Sequence, residues 1–535
     1  MMKKCLALVL ACALLLLSAC ASPSTTSPEQ PTAPPAATSS VGGTEKPAET
    51  ENPFKDPYNL VYYLYSVKSS DQNEVVAKAI NELIGPKFNA TVEFTMITGA
   101  DWDTKALVPL RAGEKIDIIF TSVSRGFMTT VANNVFLKLN DPDGPYGDLL
   151  AQYAPKTVED LGVFISNNKV DGWNYTVPTQ KELCVPGGLI WNADYVDKYG
   201  IDVATVDTYD EIAPYLAKFK EEKPGNYPLL VTTGWSFISP FIQNFLDNME
   251  PISMFIGEEG ATNGEPALVW EQEQTHNHVA QMGKWFEMGY INPDAQLKSY
   301  STNDEMYAGN FLVTFDQVLK GGQVKAKELM SSSGNPDLRL VEQQTSASII
   351  VTSHLGGSML AIPVSSKDPV RAMLYINEMH QNPELINLMA WGIEGTHYDL
   401  DDQGRAVQRK LNGWSDSHGG KWTIGNQFMQ YVSNQEDLDK YEQMQALTDA
   451  AWNHESLGFR FKQNEYANEY SATYNVTDSM LRGVMSGVNA AGMQEMIDGY
   501  KAAGVYDVIY PAVKEKYAAW KAEQMAQNPN FPTTK

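Results

Sequence analysis

The stretch YNLVYYLYSVKSSDQNEVVAKAINELIGPKFNATVEFTMITG, Tyr58–Gly99, carries two hydrophobic periods in succession. Tyr58–Val67 is a run of β-branched, aromatic and aliphatic residues of the kind that fills a buried strand. Asp71-Gln72-Asn73-Glu74 has the pattern of a capping box, and Val75, Val76, Ala79, Ile80, Leu83 and Ile84 then keep one helical stripe. In TVEFTMI, Val92, Phe94 and Met96 alternate, which predicts a strand with those three facing inward. A second helix is expected through Trp102–Arg111, ahead of a strand at IDIIF, Ile116–Phe120. Strand, helix, strand, helix, strand implies parallel strands joined by right-handed crossovers, so the chain is α/β. Ligands of such sheets sit beyond the carboxyl ends of the strands. Attention therefore falls on Tyr65–Lys68 and on TSVSR, Thr121–Arg125.

The chain starts MMKKCLALVLACALLLLSAC, with Lys3 and Lys4 ahead of an apolar run from Leu6 to Leu17. The run is shorter than the roughly 20 residues needed to span a bilayer, so it reads as an export signal. Leu17-Ser18-Ala19-Cys20 resembles the bacterial lipobox, which implies a signal peptide at 1–19 and a lipid, with palmitate, on Cys20. An ordinary secretory signal cleaved elsewhere is the alternative. Residues 21–50 have no aromatic, and Val41 is their one bulky aliphatic, so 20–52 is expected to be a disordered Ser/Thr/Pro-rich tether. Such a tether reaches about 30 Å as coil and about 90 Å fully extended. Cys5 and Cys12 lie in the signal, which leaves Cys184 unpaired and no disulfide framework. Cys184 reads as a small buried apolar residue rather than a nucleophile.

The formal net charge is −25, with no basic stripe, which argues against nucleic acid. The body from about Pro53 is too long for one core, so two domains are expected. A second α/β region opens at YTVPTQKELCVPGGLIWN, Tyr175–Asn192. Two helices, a strand at LLVTTG, and a helix ended by Gly289 follow. Then come FLVTFDQ (Phe311–Gln317), SMLAIP (Ser358–Pro363) and the helix DPVRAMLYINEMHQNP. The last hundred or so residues are mostly helical, ending in an amphipathic helix at DVIYPAVKEKYAAWKAEQ. There is no internal repeat, coiled coil or membrane span.

YTVPTQ followed by GGLIWNADYVDKYGID resembles the lobe crossover of the extracellular solute-binding proteins of bacterial ABC importers, especially the carbohydrate-uptake group. KIDIIFTS is similar to that family's first-lobe strand, YAGNFLVTFDQ to a second-lobe strand, and SMLAIP with PVRAMLYIN to the return into the first lobe. WGIEGTHYDLDDQGR and the C-terminal segment from GFRFKQ resemble the longer LplA-like lipoproteins of Gram-positive bacteria. The likeness runs from Tyr58 to the C-terminus. It implies an α/β, two-lobe periplasmic-binding-protein-like fold of type II, with hinge crossovers and a helical C-terminal part. The first lobe would be 53–178 plus 345–390, and the second 179–344 plus 391–535. It further implies a non-catalytic, extracytoplasmic protein, lipid-anchored to the bacterial cell membrane. Such a protein would hold a carbohydrate, an oligosaccharide by this reading, and deliver it to the transmembrane subunits of an ABC permease. A monomer without cofactor or metal is expected. A secreted carbohydrate-active enzyme, or an adhesin or sensor on the same fold, is the competing class.

Sugars need aromatic faces for their C–H surfaces and fixed polar groups for their hydroxyls. Thr121, Ser122 and Arg125 follow a strand at its carboxyl end; a surface loop is the competing reading. Tyr65 ends the first strand and suits core or cleft equally. The resemblance places Trp191, in LIWN, where related proteins stack an aromatic on sugar. Trp173 precedes the hinge, and Gln180 lies at it with an amide suited to vicinal hydroxyls, or to bracing the backbone. Trp235 and Asp316 each follow a second-lobe strand. Trp391 and Glu394, bounded by Gly392 and Gly395, suit a tight loop facing a cleft, although Trp391 also suits core.

Asp399-x-Asp401-x-Gln403-Gly404 begins like a calcium loop, but the twelfth position is Lys410 where a bidentate Glu is needed. A hairpin turning at Asp402-Gln403-Gly404 fits better. Motifs for zinc proteases, serine hydrolases, P-loops and dinucleotide binding do not occur. His276 and His278 read as a solvated pair rather than a metal site. A glycosidase would need two carboxylates across a cleft, and no local motif proposes such a pair.

Overall fold

The computed structural model describes residues 54–66, 70–232, 240–241, 247–249, 252–256, 266–297, 303–316, 319–409, 414, 421–528 and 531. The expected signal and tether, Cys20 and Trp235 lie outside the described residues.

The first strand, β1 (Tyr58–Ser66), buries Leu60, Tyr62 and Leu64 on one side of its pleat. A helix, Asn73–Phe88, returns the chain and buries Val76, Ile80, Ile84 and Phe88, the four-residue spacing of one helical face. The expected capping box does not form. Gln72 precedes the helix with no side-chain capping bond, and Asp71 instead accepts from Gln72 Nε2 at 2.8 Å. Asn89 ends the helix at φ 50°, a left-handed conformation that Asn tolerates. β2 (Ala90–Thr98) then pairs with β1 in parallel, from Tyr58 opposite Ala90 to Ser66 opposite Thr98. β3 (Ile118–Thr121) pairs in parallel on β1's other side. Asp117 fixes this edge. It is fully buried and accepts from Tyr58 Oη at 2.8 Å, Val61 N at 2.9 Å and Ser366 Oγ at 2.6 Å.

After β4 (Thr176–Pro178) the chain leaves for a second sheet made of β5 (Gly188–Asn192), β6 (Val313–Asp316) and β7 (Leu340–Gln344). β5 is its centre, antiparallel to both neighbours. The chain then comes back as β8 (Met359–Ala361), which inserts antiparallel between β3 and β4. The first sheet is thus ordered β2-β1-β3-β8-β4. A strand from late in the chain completes a sheet begun early, which forces two chain crossings. These crossings run side by side: Thr179 N donates to Ser358 O at 3.0 Å and Gly187 N to Ser346 Oγ at 2.6 Å.

Each sheet has its own core. The first holds Leu60, Tyr62, Ile119, Met359, Tyr375 and Met389, and the second Leu189, Trp191, Phe219, Trp285 and Phe315. The C-terminal part divides between them. Trp391, Tyr398, Ala406, Trp414 and Ile424 join the first core, while Phe459, Tyr470, Tyr500 and Tyr517 join the second. The grouping of these cores differs from the expected division, which put everything from 391 with the second lobe. Trp391 ends the helix Pro383–Trp391, already packed in the first core, and the hairpin that follows stays against it through Tyr398, ring centroids 6.0 Å apart.

That hairpin pairs Tyr398–Leu400 with Ala406–Gln408. Asp401 Oδ1 accepts from Gln403 N and Arg405 N, both at 2.9 Å, and Asp401 Oδ2 from Arg405 Nε at 2.9 Å. The acid of the apparent calcium loop is therefore spent on building the turn. Cys184 is buried and burial pushes its thiol up to about 12.

Candidate ligand-binding cleft

A cavity of about 1230 Å³ opens beside the two crossings. Its walls come from four places in the chain. The first-core side supplies Trp391, Trp422 and Tyr431; the helix Val324–Ser333, after β6, supplies Lys325 and Glu328. The crossings supply Lys181–Leu183 and His354, and the helix Lys440–Ala450 supplies Lys440 and Tyr441. Residues of both sheets' surroundings therefore meet across it.

The aromatic wall is held rigidly. Trp391 is 3% exposed and donates its indole N–H to Tyr431 O at 3.0 Å. Tyr398 packs beside both, 6.0 Å from each ring. The Lys421 ammonium stands over the Trp391 indole, 2.8 Å from the ring centroid. Trp422 is half-buried, with Tyr65 and Phe120 behind it at 6.3 Å and 6.2 Å.

Another part of the lining is ionic. Glu328 accepts from Lys320 and Lys440, at 2.9 Å and 3.0 Å, and Lys440 also reaches Glu436 at 3.0 Å. Lys181 pairs with Glu182 at 3.0 Å. Burial alone would raise the Glu328 carboxyl, but Lys320 and Lys440 outweigh it and hold that carboxyl well below the usual range. Glu182 is likewise lowered: burial opposes ionisation, and Lys181 with Lys320 overcomes it. His354 is pushed down to about 4 by burial, so it is neutral in ordinary buffers.

Of the residues singled out from sequence, Trp391 lines the cavity. Gln180 stands at its edge. Its N–H donates to Gly425 O at 2.9 Å and its carbonyl accepts from Gln427 N at 2.8 Å, so it braces the cavity-lining Gln427 through backbone. Asp316 lies behind Lys325, 3.7 Å away. Tyr65, Thr121, Ser122 and Arg125 lie at the carboxyl ends of β1 and β3, where the Tyr65 ring packs against Trp422. Arg125 donates to Tyr65 Oη at 3.2 Å and Gly99 O at 3.0 Å, and Thr121 and Ser122 are each 2% exposed.

Three of the residues singled out lie away from this cavity. Trp191 is fully buried in the second core and donates Nε1 to Gln343 Oε1 at 2.9 Å. β5 has a strand on each side and both faces covered, so no residue on it reaches a cleft. Glu394 is exposed in the turn bridged to Tyr398, away from the cavity. Trp173 lies half-buried against the first core under the Lys138 ammonium, 4.4 Å from its ring, and does not line the cavity. The histidine pair reads differently too. His278 is buried inside the helix Glu273–Glu287, with Nδ1 2.7 Å from Tyr209 Oη and Nε2 3.0 Å from Met485 O.

Sequence reasoning missed Lys421, Trp422, Gln427, Tyr431, Tyr441 and His354. The run KWTIGNQFMQY, Lys421–Tyr431, has neither strand nor helix period but is dense in aromatics and amides, which was the available signal.

Two α/β lobes joined by paired crossings, with a walled cavity beside them, define a solute-capture protein. The chain belongs to the bacterial extracellular solute-binding protein family, whose sequence profile matches residues 76–395. It is 24% identical over 490 residues to a carbohydrate ABC transporter substrate-binding protein of Streptococcus pneumoniae serotype 4, covering 89% of this chain and 93% of that protein. Among solved structures it is similar to the N-glycan transport solute binding protein NgtS of S. pneumoniae, with TM-score 0.73, 20% identity, and coverage of 88% of this chain and 100% of that one. The same protein in complex with Man1GlcNAc gives TM-score 0.68 at 19% identity, over 87% and 100% of the two chains. Among the described residues, no helix is long and apolar enough to cross a membrane.

Proposed function

We propose that this protein captures an oligosaccharide in the cleft, without chemistry, and delivers it to the transmembrane subunits of an ABC permease, held near the cell membrane by lipid on Cys20. The observation that carries the reading is the cavity wall itself. Trp391, Trp422, Tyr431 and Tyr441 line about 1230 Å³ together with amides and hydroxyls at fixed positions. That volume suits a ligand of several sugar rings, and the mix of aromatic faces and polar groups suits sugar surfaces. The carbohydrate-transporter relative and the glycan complex of NgtS support the same ligand class.

The carboxylates favour binding over hydrolysis. A glycosidase needs one carboxyl kept protonated near neutrality. Glu182 and Glu328 are held ionised by lysines, and the raised carboxyl of Glu342 does not line the cavity. Contacts to both walls would stabilise a closed arrangement of the lobes, and affinity would measure that difference. The protein acts as a monomer.

The test is a fluorescence titration of the mature protein with a glycan panel, assayed in parallel for reducing ends. A saturable tryptophan signal without product is expected. Release of reducing ends would overturn the non-catalytic reading, and no response to any glycan would overturn the ligand class. Cleavage site and lipidation are read by mass spectrometry of the membrane fraction, where a diacylated Cys20 is expected and an unmodified mature N-terminus contradicts the anchor.

A further inference from the structure

We propose that Asn387, which does not itself line the cavity, is the positioning residue of the aromatic wall. The inference rests on the sugar-binding reading and deepens it. The wall run Lys421–Tyr431 carries two single helical turns, Lys421–Thr423 and Gln427–Met429, and no strand. Turns that short fix little by themselves, so the run takes its shape from what grips its backbone. In its middle that grip is backbone: Gln180 bonds Gly425 and Gln427, and Asn426 N donates to Met379 O at 3.1 Å. At its end the grip comes from two side chains one turn apart on the helix Pro383–Trp391. Tyr431 N donates to Asn387 Oδ1 at 2.7 Å, and Tyr431 O accepts from Trp391 Nε1 at 3.0 Å. One helix face thus holds both backbone groups of a cavity-lining residue. Asn387 Nδ2 reaches further back and donates to Met429 O at 2.9 Å.

The other N–H of the amide goes to Pro383 O, 2.8 Å away in its own helix. Oxygen toward an N–H and nitrogen toward two carbonyls leave the amide one orientation. Asn387 is 5% exposed, so bulk water does not stand in for these partners. Just past Tyr431 the chain falls into register with the hairpin. Ala406 N donates to Val432 O at 2.8 Å, and Asn434 N to Ala406 O at 3.0 Å. Asn387 therefore grips the chain where the irregular wall meets an ordered edge. It fixes the point from which Tyr431, and the run before it with Trp422 and Gln427, face the cavity. An apolar side chain of the same size fills that space and holds neither Met429 nor Tyr431. Without the grip a bound sugar must order the wall itself, and that ordering is subtracted from affinity.

The experiment is calorimetric titration of the mature protein with gluco-, manno- and galacto-oligosaccharides, the tightest binder then being titrated into three variants. Asn387→Leu keeps the volume and removes the grip, and should weaken binding about tenfold. Leu385→Ala, fully buried on the same helix, is the control for lost stability. It should lower Tm at least as far while affinity stays within about twofold. Faster amide exchange over Gln427–Val432 is expected in unliganded Asn387→Leu and not in the control. Asn387→Asp keeps the acceptor for Tyr431 N, but its carboxyl donates to Met429 O only when protonated. Its affinity relative to the parent should therefore recover from about pH 8 to about pH 5, while the Asn387→Leu ratio stays flat. Should Asn387→Leu fail to fold, the pH profile of Asn387→Asp decides alone. Equal affinity losses in Asn387→Leu and Leu385→Ala would make Asn387 merely structural and overturn the proposal. Parent-like affinity in Asn387→Leu, or an Asn387→Asp ratio indifferent to pH, would overturn it too, with the sugar-binding reading left standing. A parent that binds none of the sugars would remove both.

Discussion

Trp391 donates its indole N–H to the carbonyl of Tyr431 at 3.0 Å, and the two residues line one cavity. The bond joins the end of a helix to a segment forty residues on, and it fixes the plane of the ring. Trp391→Phe keeps an aromatic but leaves that carbonyl without its donor. The expected outcome is about 1–2 kcal/mol of lost stability together with weaker glycan binding. Thermal melts and calorimetry on the same preparation check both.

Trp422 is half-buried, and its ring meets those of Tyr65 and Phe120. Trp422→Ala should weaken the bound glycan roughly tenfold, since a stacked ring contributes on the order of 1–2 kcal/mol. Its stability cost should be smaller than that of Trp391→Ala, which empties a site only 3% exposed.

Trp191 supplies the contrast. It is fully buried and bonded to Gln343, itself 9% exposed. Trp191→Phe should cost about 2–3 kcal/mol in stability through a cavity and an unpaired amide oxygen. Glycan affinity should stay within about twofold. A large affinity loss at parental stability would place Trp191 in the site after all.

The ion network sets an acid limit. Glu328 is held below its ordinary value of 4.5 by Lys320 and Lys440. A carboxyl lowered on folding adds stability that is present above the unfolded pKa and lost as pH falls toward the folded one. Denaturant titrations should therefore show stability dropping below about pH 4.5, and Glu328→Gln should flatten that slope while lowering stability at pH 7.

Glu342 works in the opposite direction. It is 6% exposed, and burial raises its carboxyl to about 7 although Ala326 N donates to it at 3.0 Å. A carboxyl raised on folding costs stability as pH climbs from the unfolded pKa through the folded one. Glu342→Gln keeps an acceptor for Ala326. It should be more stable than the parent at pH 8, by up to about 3 kcal/mol, and indistinguishable from it at pH 4.

Legibility followed periodicity. Tyr58–Ser66, Asn73–Phe88 and Ala90–Thr98 were readable because burial on one face imposes a repeat on the sequence. The crossing at Thr179–Gly187 was readable through resemblance. The cleft was less so. Trp191 has the same composition signal as a stacking residue, and only its place on a central strand with both faces covered separates the two. Lys421, Trp422 and Tyr431 sit on irregular chain, where no repeat marks which side chain faces a cavity. Lys325 and Glu328 ride an ordinary short helix whose partner, Lys440, is remote in sequence. Sites assembled from four distant segments leave little local trace.

The central claim is that one glycan touches both walls of the cavity, and hydrogen–deuterium exchange on the mature protein with saturating glycan tests it most directly. Slowed exchange is expected in two separated segments, Lys421–Glu436 on the aromatic wall and Val324–Ser333 on the ionic wall, with the β5 core around Trp191 unchanged. Protection on one wall alone, or confined to a surface away from both segments, would contradict it.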